Sequence, residues 1–181
     1  MSTIRFETNL YKIGSWTILR LPEGASAKLP SRGQTMVKGT INGFPFQSAL
    51  EPDGRKSHWF NVDKAMSKAA RANAGDTVKL EIESTKDWPE PDVPADIQKA
   101  LKADSQANAL WVKITPMARW DWIRWIRATL QPETRNRRIE TALSKLKHGE
   151  RRPCCFNRTV CTITEVSRLG VLLEPGQTAR K

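Results

Sequence analysis

The hydrophobic pattern of this chain changes period at a proline-rich stretch, "DWPEPDVP" (87–94), and that change divides the sequence in two. Upstream, apolar residues alternate with polar ones; downstream they recur every three or four positions. "TVKLEIE" sets Val78, Leu80 and Ile82 against Lys79, Glu81 and Glu83, the pattern of a strand with one buried face. "TMVKGTINGFPFQSAL" (35–50) reads as a hairpin. Val37, Gly39 and Ile41 share a face, Asn42-Gly43 suits a type I′ turn, and Phe44, Phe46 and Ser48 form the returning strand. Ile4 and Phe6, "SWTILRLP" and "SHWFNV" add further strands, and "EPDGRK" supplies a turn. Asp63 is placed to cap a helix bearing Met66, Ala69 and Ala70 and running to Gly75. About six short strands with one helix, in residues 1–86, imply a small barrel or sandwich rather than a βαβ sheet.

The three prolines of 87–94 read as a stiff linker. Beyond it, residues 95–158 read as helical. Pro94 opens a helix holding Ile97, Ala100 and Leu101; a second holds Leu110 and Trp111, and Thr115-Pro116 begins a third. Wound at 100° per residue, 117–130 gathers Trp122, Ile123, Trp125, Ile126 and Leu130 into one broad arc, interrupted by Arg119. Trp120, Arg124 and Arg127 fall outside it. Pro132 starts a further helix with Ile139, Ala142, Leu143 and Leu146 on one side, ending at Gly149. Residues 159–181 read as a divergent tail.

Charge is uneven along the chain. Thirty Lys and Arg face nineteen Asp and Glu, a net of +11. Residues 117–158 hold eleven cations and four anions, so +7 of that sits at the helical end. Lys145, Lys147 and His148 at a helix C-terminus suit the dipole there. The others admit three readings: a solvated face, a polyanion-binding patch, or a dock for an acidic protein. Trp120, Arg124, Arg127, Arg135, Arg137, Arg138, Arg151 and Arg152 are the candidate partner-binding residues, because exposed tryptophan beside arginine combines stacking with phosphate contact.

Catalytic and metal constellations are thin. His58 alternates with Phe60 and Val62 on a strand, which suggests a core or rim histidine more than a base; Ser57 points to the other face. "RRPCCFNR" (151–158) places Cys154 and Cys155 among arginines that favour a thiolate, so these are candidate reactive thiols, while a buried structural pair is the plainer reading. Adjacent cysteines with a lone Cys161 make poor zinc ligands. No metal, no cofactor and no enzymatic activity are expected. The opening residues carry no secretory signal pattern, no apolar run approaches the ~20 residues that span a bilayer, and three cysteines do not form a disulfide framework, so a cytoplasmic protein is expected.

Residues 35–83, with V-x-G-x-I-N-G-x-P-F, a turn, a helix and then G-D-x-V, resemble a bacterial domain of unknown function of the double-split β-barrel class. "VPADIQKAL" and "PMARWDWIRWIRATLQPETRNRRIETALSKLKHGERRPCCFNR" resemble the YdeI/OmpD-associated bacteriocin-protection family, with P-E-T-R-x-R-R-I as its hallmark. The resemblance implies an α+β protein, a small N-terminal β-barrel followed by an all-α domain, with no catalytic residues to carry over. It implies a stress-resistance role and a non-enzymatic binding protein. The partner expected is an anionic macromolecule or an acidic protein surface. Nucleic acid, bound by the Arg/Trp surface or by a barrel dimer, is the alternative.

Overall fold

The computed structural model describes residues 2–154 and 156–179. It separates into two compact units, and the fold is α+β as expected. The first unit takes the chain up to Asp87, together with 157–161 and the segment from Glu165 onward; the second takes Trp88–Phe156 and Thr162–Thr164.

Among the described residues, seven antiparallel strands build the main sheet of the first unit: β1 (Ile4–Asn9), β2 (Tyr11–Ile13), β3 (Trp16–Arg20), β4 (Thr35–Ile41), β5 (Phe44–Pro52), β6 (His58–Asn61) and β7 (Thr77–Ser84). Their spatial order is β1-β7-β4-β5-β6-β3-β2. The long β5 serves both halves of the sheet, pairing with β4 through Phe44–Leu50 and with β6 through Glu51 and Pro52. The Thr8 hydroxyl donates to the Arg20 carbonyl at 2.9 Å, bringing β1 to β3, so the sheet curls into a barrel-like shape. Alternation drives the curl, because each strand has one apolar face to hide. Val37, Ile41, Leu50, Phe60, Val78, Leu80 and Ile82 all enter one core, and Phe46 stacks on Phe60 at 5.3 Å.

The Asn42-Gly43 turn is as expected, with φ of 49° and 81° and Ile41 opposite Phe44. Two short helices, α1 (Glu23–Ser26) and α2 (Lys64–Ala70), lie between strands. Asp63 caps α2 by accepting from the Met66 N–H at 2.8 Å. The helix stops at Ala70 rather than at Gly75, because Arg71 itself takes the left-handed cap conformation (φ 52°).

Residues set apart in the sequence as a tail carry the two-stranded hairpin β8 (Ser167–Arg168) and β9 (Val171–Leu172), turning at Leu169-Gly170 with positive φ at both. Val166, Leu172 and Leu173 are buried. The Leu172 N–H donates to the Asp53 carbonyl, and the Tyr11 hydroxyl to the Leu173 carbonyl.

Among the described residues the second unit has four helices: α3 (Ala95–Ala103), α4 (Ser105–Lys113), α5 (Pro116–Arg127) and α6 (Pro132–Lys147). Asp104 caps α4 through the Ala107 N–H and Thr115 caps α5 through the Ala118 N–H. Ile97, Leu101, Trp111, Trp122, Ile123, Ile126, Ile139, Ala142 and Leu146 form its core. Leu130 does not join them; it is 63% exposed because α5 ends at Arg127 and the helical phase no longer holds there. The proline-rich segment packs on this unit: Pro91 is buried, and Trp88 meets Trp120 edge-on at 5.9 Å.

At Gly39, β4 and β7 approach too closely for a side chain. A Cβ there would stand 1.9 Å from the Glu81 carbonyl oxygen and 2.8 Å from Ile82 Cα. Gly39→Ala is therefore expected to part β4 from β7 and to destabilise the first unit by about 2 kcal/mol or more. Urea denaturation checks this, and an unchanged midpoint would contradict it.

Candidate functional site

The arginines of the helical unit do not share one fate. Arg119, in the middle of the apolar arc, is only 9% exposed. Its guanidinium donates to the carbonyls of Trp111 (2.9 Å), Val112 (2.7 Å) and Ile114 (2.8 Å), and pairs with Glu90. Those carbonyls belong to the C-terminal end of α4, where no intrahelical N–H can reach them, so Arg119 is a helix cap. Arg138 acts similarly at the end of α5, donating to the Trp125 carbonyl at 2.6 Å and lying 5.3 Å from the centre of the Trp125 ring.

Arg124, expected on the outer surface beside Trp120, is instead 1% exposed. The helix turns it inward, where it sits 5.2 Å from the Phe156 ring centre. Trp120 is half-buried; its indole N–H donates to the Pro89 carbonyl at 2.9 Å. No arginine–tryptophan stacking surface forms from that pair. The reason is that the segment at 88–90 occupies the side of α5 that the sequence leaves open to solvent.

Arg127 donates to the Thr162 hydroxyl at 3.1 Å. Arg135 grips Asp96 through two nitrogens, at 2.6 and 3.0 Å, joining α6 to α3. That hydrogen bond holds the Asp96 carboxyl below its usual range. Lys147 does the same for Asp104 at 2.7 Å. Arg152 reaches Asp121 at 3.7 Å and keeps part of its side chain in solvent. Arg137 and Arg151 are exposed, and among the described residues neither guanidinium has a partner. Residue 151 is nevertheless anchored, since its carbonyl accepts from the Trp122 indole N–H at 2.9 Å.

Cys154 is exposed. The cation beside its thiol is Lys145, whose Nζ lies 3.6 Å from Sγ and 3.2 Å from Glu150. Cys155 lies outside the described residues. Cys161 is buried in the first unit. Among the described residues no group of three or more His, Cys, Asp or Glu side chains is placed to hold a metal ion, and no helix is long and apolar enough to cross a membrane.

His58 has both ring nitrogens committed. Nε2 lies 2.8 Å from the Gly33 carbonyl and Nδ1 lies 2.6 Å from the Ser26 hydroxyl, with the residue fully buried. A carbonyl only accepts, so the proton sits on Nε2 and Ser26 donates to Nδ1. Burial pushes the imidazole below its ordinary 6.5. The ring therefore stays neutral at a pH where the unfolded chain would take up a proton. A depressed folded value means stability that is complete above about 6.5 and lost as pH falls below it. Wild type is expected to lose stability between pH 7 and 5 more steeply than His58→Asn, as read by urea midpoints. Parallel slopes would show that His58 does not titrate on unfolding.

Two features of the first unit were not anticipated from the sequence. One is a charge network in which buried Asp53 accepts from Arg20 at 2.9 Å and from the backbone N–H groups of Arg55 and Ser57, while Glu174 pairs with Arg20 (3.0 Å) and Arg55 (2.7 Å). Burial beside this network pushes the Tyr11 phenol up to about 12, with Arg20 opposing the rise. The other is a groove of about 750 Å³ walled by β2 and α2, whose lining includes Lys12, Lys64, Lys68 and Arg71. Recurrence of Lys64, Lys68 and Arg71 at i, i+4, i+7 is the signal that could have found it.

These features define a two-unit α+β protein: a curled seven-stranded sheet followed by a tryptophan-centred helical unit whose arginines mostly serve the fold. Residues 90–149 match the family described as "Bacteriocin-protection, YdeI or OmpD-Associated", and residues 5–82 match the "Domain of unknown function (DUF1905)". The two matches lie in tandem along the chain. No curated protein matches the sequence.

Proposed function

We propose that this is a non-enzymatic binding protein of the bacteriocin-protection type, whose helical unit docks the acidic surface of a partner protein. The observation that supports the reading is the pair of exposed guanidinium groups, Arg137 and Arg151, left without partners while Arg119, Arg135 and Arg138 are held internally. A fixed framework with free cations on it is suited to electrostatic docking, because little side-chain order is lost elsewhere on binding. Arg152, loosely paired with Asp121, adds a third cation beside Arg151.

Fluorescence titration with a poly-glutamate peptide and with a labelled DNA duplex, each at two ionic strengths, tests this. Poly-glutamate is expected to bind in a salt-sensitive manner, with several-fold weakening in the double variant Arg137→Gln/Arg151→Gln and no change in thermal midpoint. Duplex binding with a log–log salt slope near −0.9 per phosphate neutralised would move the reading to nucleic acid. Absence of binding to either polymer at low salt would overturn it.

A further inference from the structure

The described lining residues of the groove all belong to the first unit, and they are rich in cations. Three of its cations, Lys64, Lys68 and Arg71, stand on successive turns along one side of α2 and its cap. Lys12 faces them from β2. All four are exposed, and among the described residues none makes an ion pair. Like charges at i, i+3 and i, i+4 repel one another, so the apo protein carries a repulsion that a bound anion would relieve. Asp63 is the one acid among the described lining residues; its Oδ1 accepts from the Met66 N–H and it makes no ion pair with the four cations, so the groove keeps a clear positive excess.

The floor offers neutral donors. Thr17 is 8% exposed, and its hydroxyl has no partner among the described residues. Asn61 uses Oδ1 to accept from the Thr17 N–H at 3.2 Å, which fixes the amide and leaves its NH₂ to donate elsewhere. Arg71 occupies the left-handed cap position, φ 52°, where glycine or asparagine is the low-cost choice. From that position its side chain lines the groove. Among the described residues no aromatic ring lines the groove, so stacking there does not select a base or sugar.

We propose that this groove binds a small molecule carrying two or three linked phosphate groups, held by Lys12, Lys64, Lys68 and Arg71 with Thr17 and Asn61 donating from the floor. Linked phosphates match several cations spread over a volume of about 750 Å³ better than one compact anion does. Inorganic polyphosphate and the phosphate chain of a nucleotide share this chemistry.

Isothermal titration of the full chain at low ionic strength, using sodium tripolyphosphate, ATP without metal, and sulfate, tests the proposal. Tripolyphosphate is expected to bind, with sulfate at least tenfold weaker, and Lys68→Gln/Arg71→Gln is expected to lose about tenfold or more in affinity. Equal affinity for ATP identifies the phosphates as the whole determinant, and tighter ATP binding identifies a nucleotide as the ligand. Both residues are exposed, so the variant keeps the wild-type circular dichroism spectrum. Arg137→Gln/Arg151→Gln is expected to leave this binding unchanged, which separates the groove from the helical-unit surface. No measurable tripolyphosphate binding, or a groove variant that binds as wild type does, would overturn the proposal.

Discussion

The helical unit depends on one guanidinium. Arg119 closes the end of α4 by donating to three carbonyls that the helix cannot satisfy itself, while Glu90 balances its charge. Polar groups buried without partners cost far more than a hydrogen bond returns, so an arginine aimed at a helix terminus removes several debts with one side chain. The planar fork suits this task; a lysine ammonium does not spread its donors over the same arc. Because Glu90 belongs to the proline-rich segment, the same contact fastens that segment to the helices. Trp120 donating to Pro89, and Trp88 against Trp120, extend the seam.

That use of arginine changes what the net charge means. A count of +7 over residues 117–158 suggests a cationic surface. Much of it is internal: Arg119 and Arg138 end helices, Arg135 ties α6 to α3, and Arg124 lies under Phe156. Free positive charge survives at Arg137 and Arg151 on the helical unit, and separately at Lys12, Lys64, Lys68 and Arg71 on the sheet unit. Electrostatic attraction at a distance follows the sum of charges, but recognition follows the few that are free to meet a partner.

The sheet was legible because alternation has no good alternative explanation. Val78-Leu80-Ile82 and the Asn42-Gly43 turn fix strand, face and register together. Tryptophan burial at Trp122 followed from helical phase in the same way. Arg124 and Trp120 did not, because a helical wheel knows nothing of residues from elsewhere in the chain, Phe156 against Arg124 and Pro89 against Trp120, that lie along the helix. The interruption of the apolar arc by Arg119 was the clue to capping, yet which carbonyls it meets depends on the turn between α4 and α5. The hairpin after Ser167 was hidden for a related reason: two residues per strand are too few to show a period, and its hold on the sheet comes from Tyr11, Asp53 and Arg20 far back in sequence.

Unfolding of Arg119→Lys by urea, followed by far-ultraviolet circular dichroism beside Arg137→Lys, measures the central claim directly. If the forked guanidinium holds the end of α4, keeping the charge while losing the fork costs about 2 kcal/mol or more at residue 119 and stays within about 0.5 kcal/mol at 137. Equal, small effects at both positions would show that Arg119 supplies charge alone and that the helical unit is held by its tryptophan core without it.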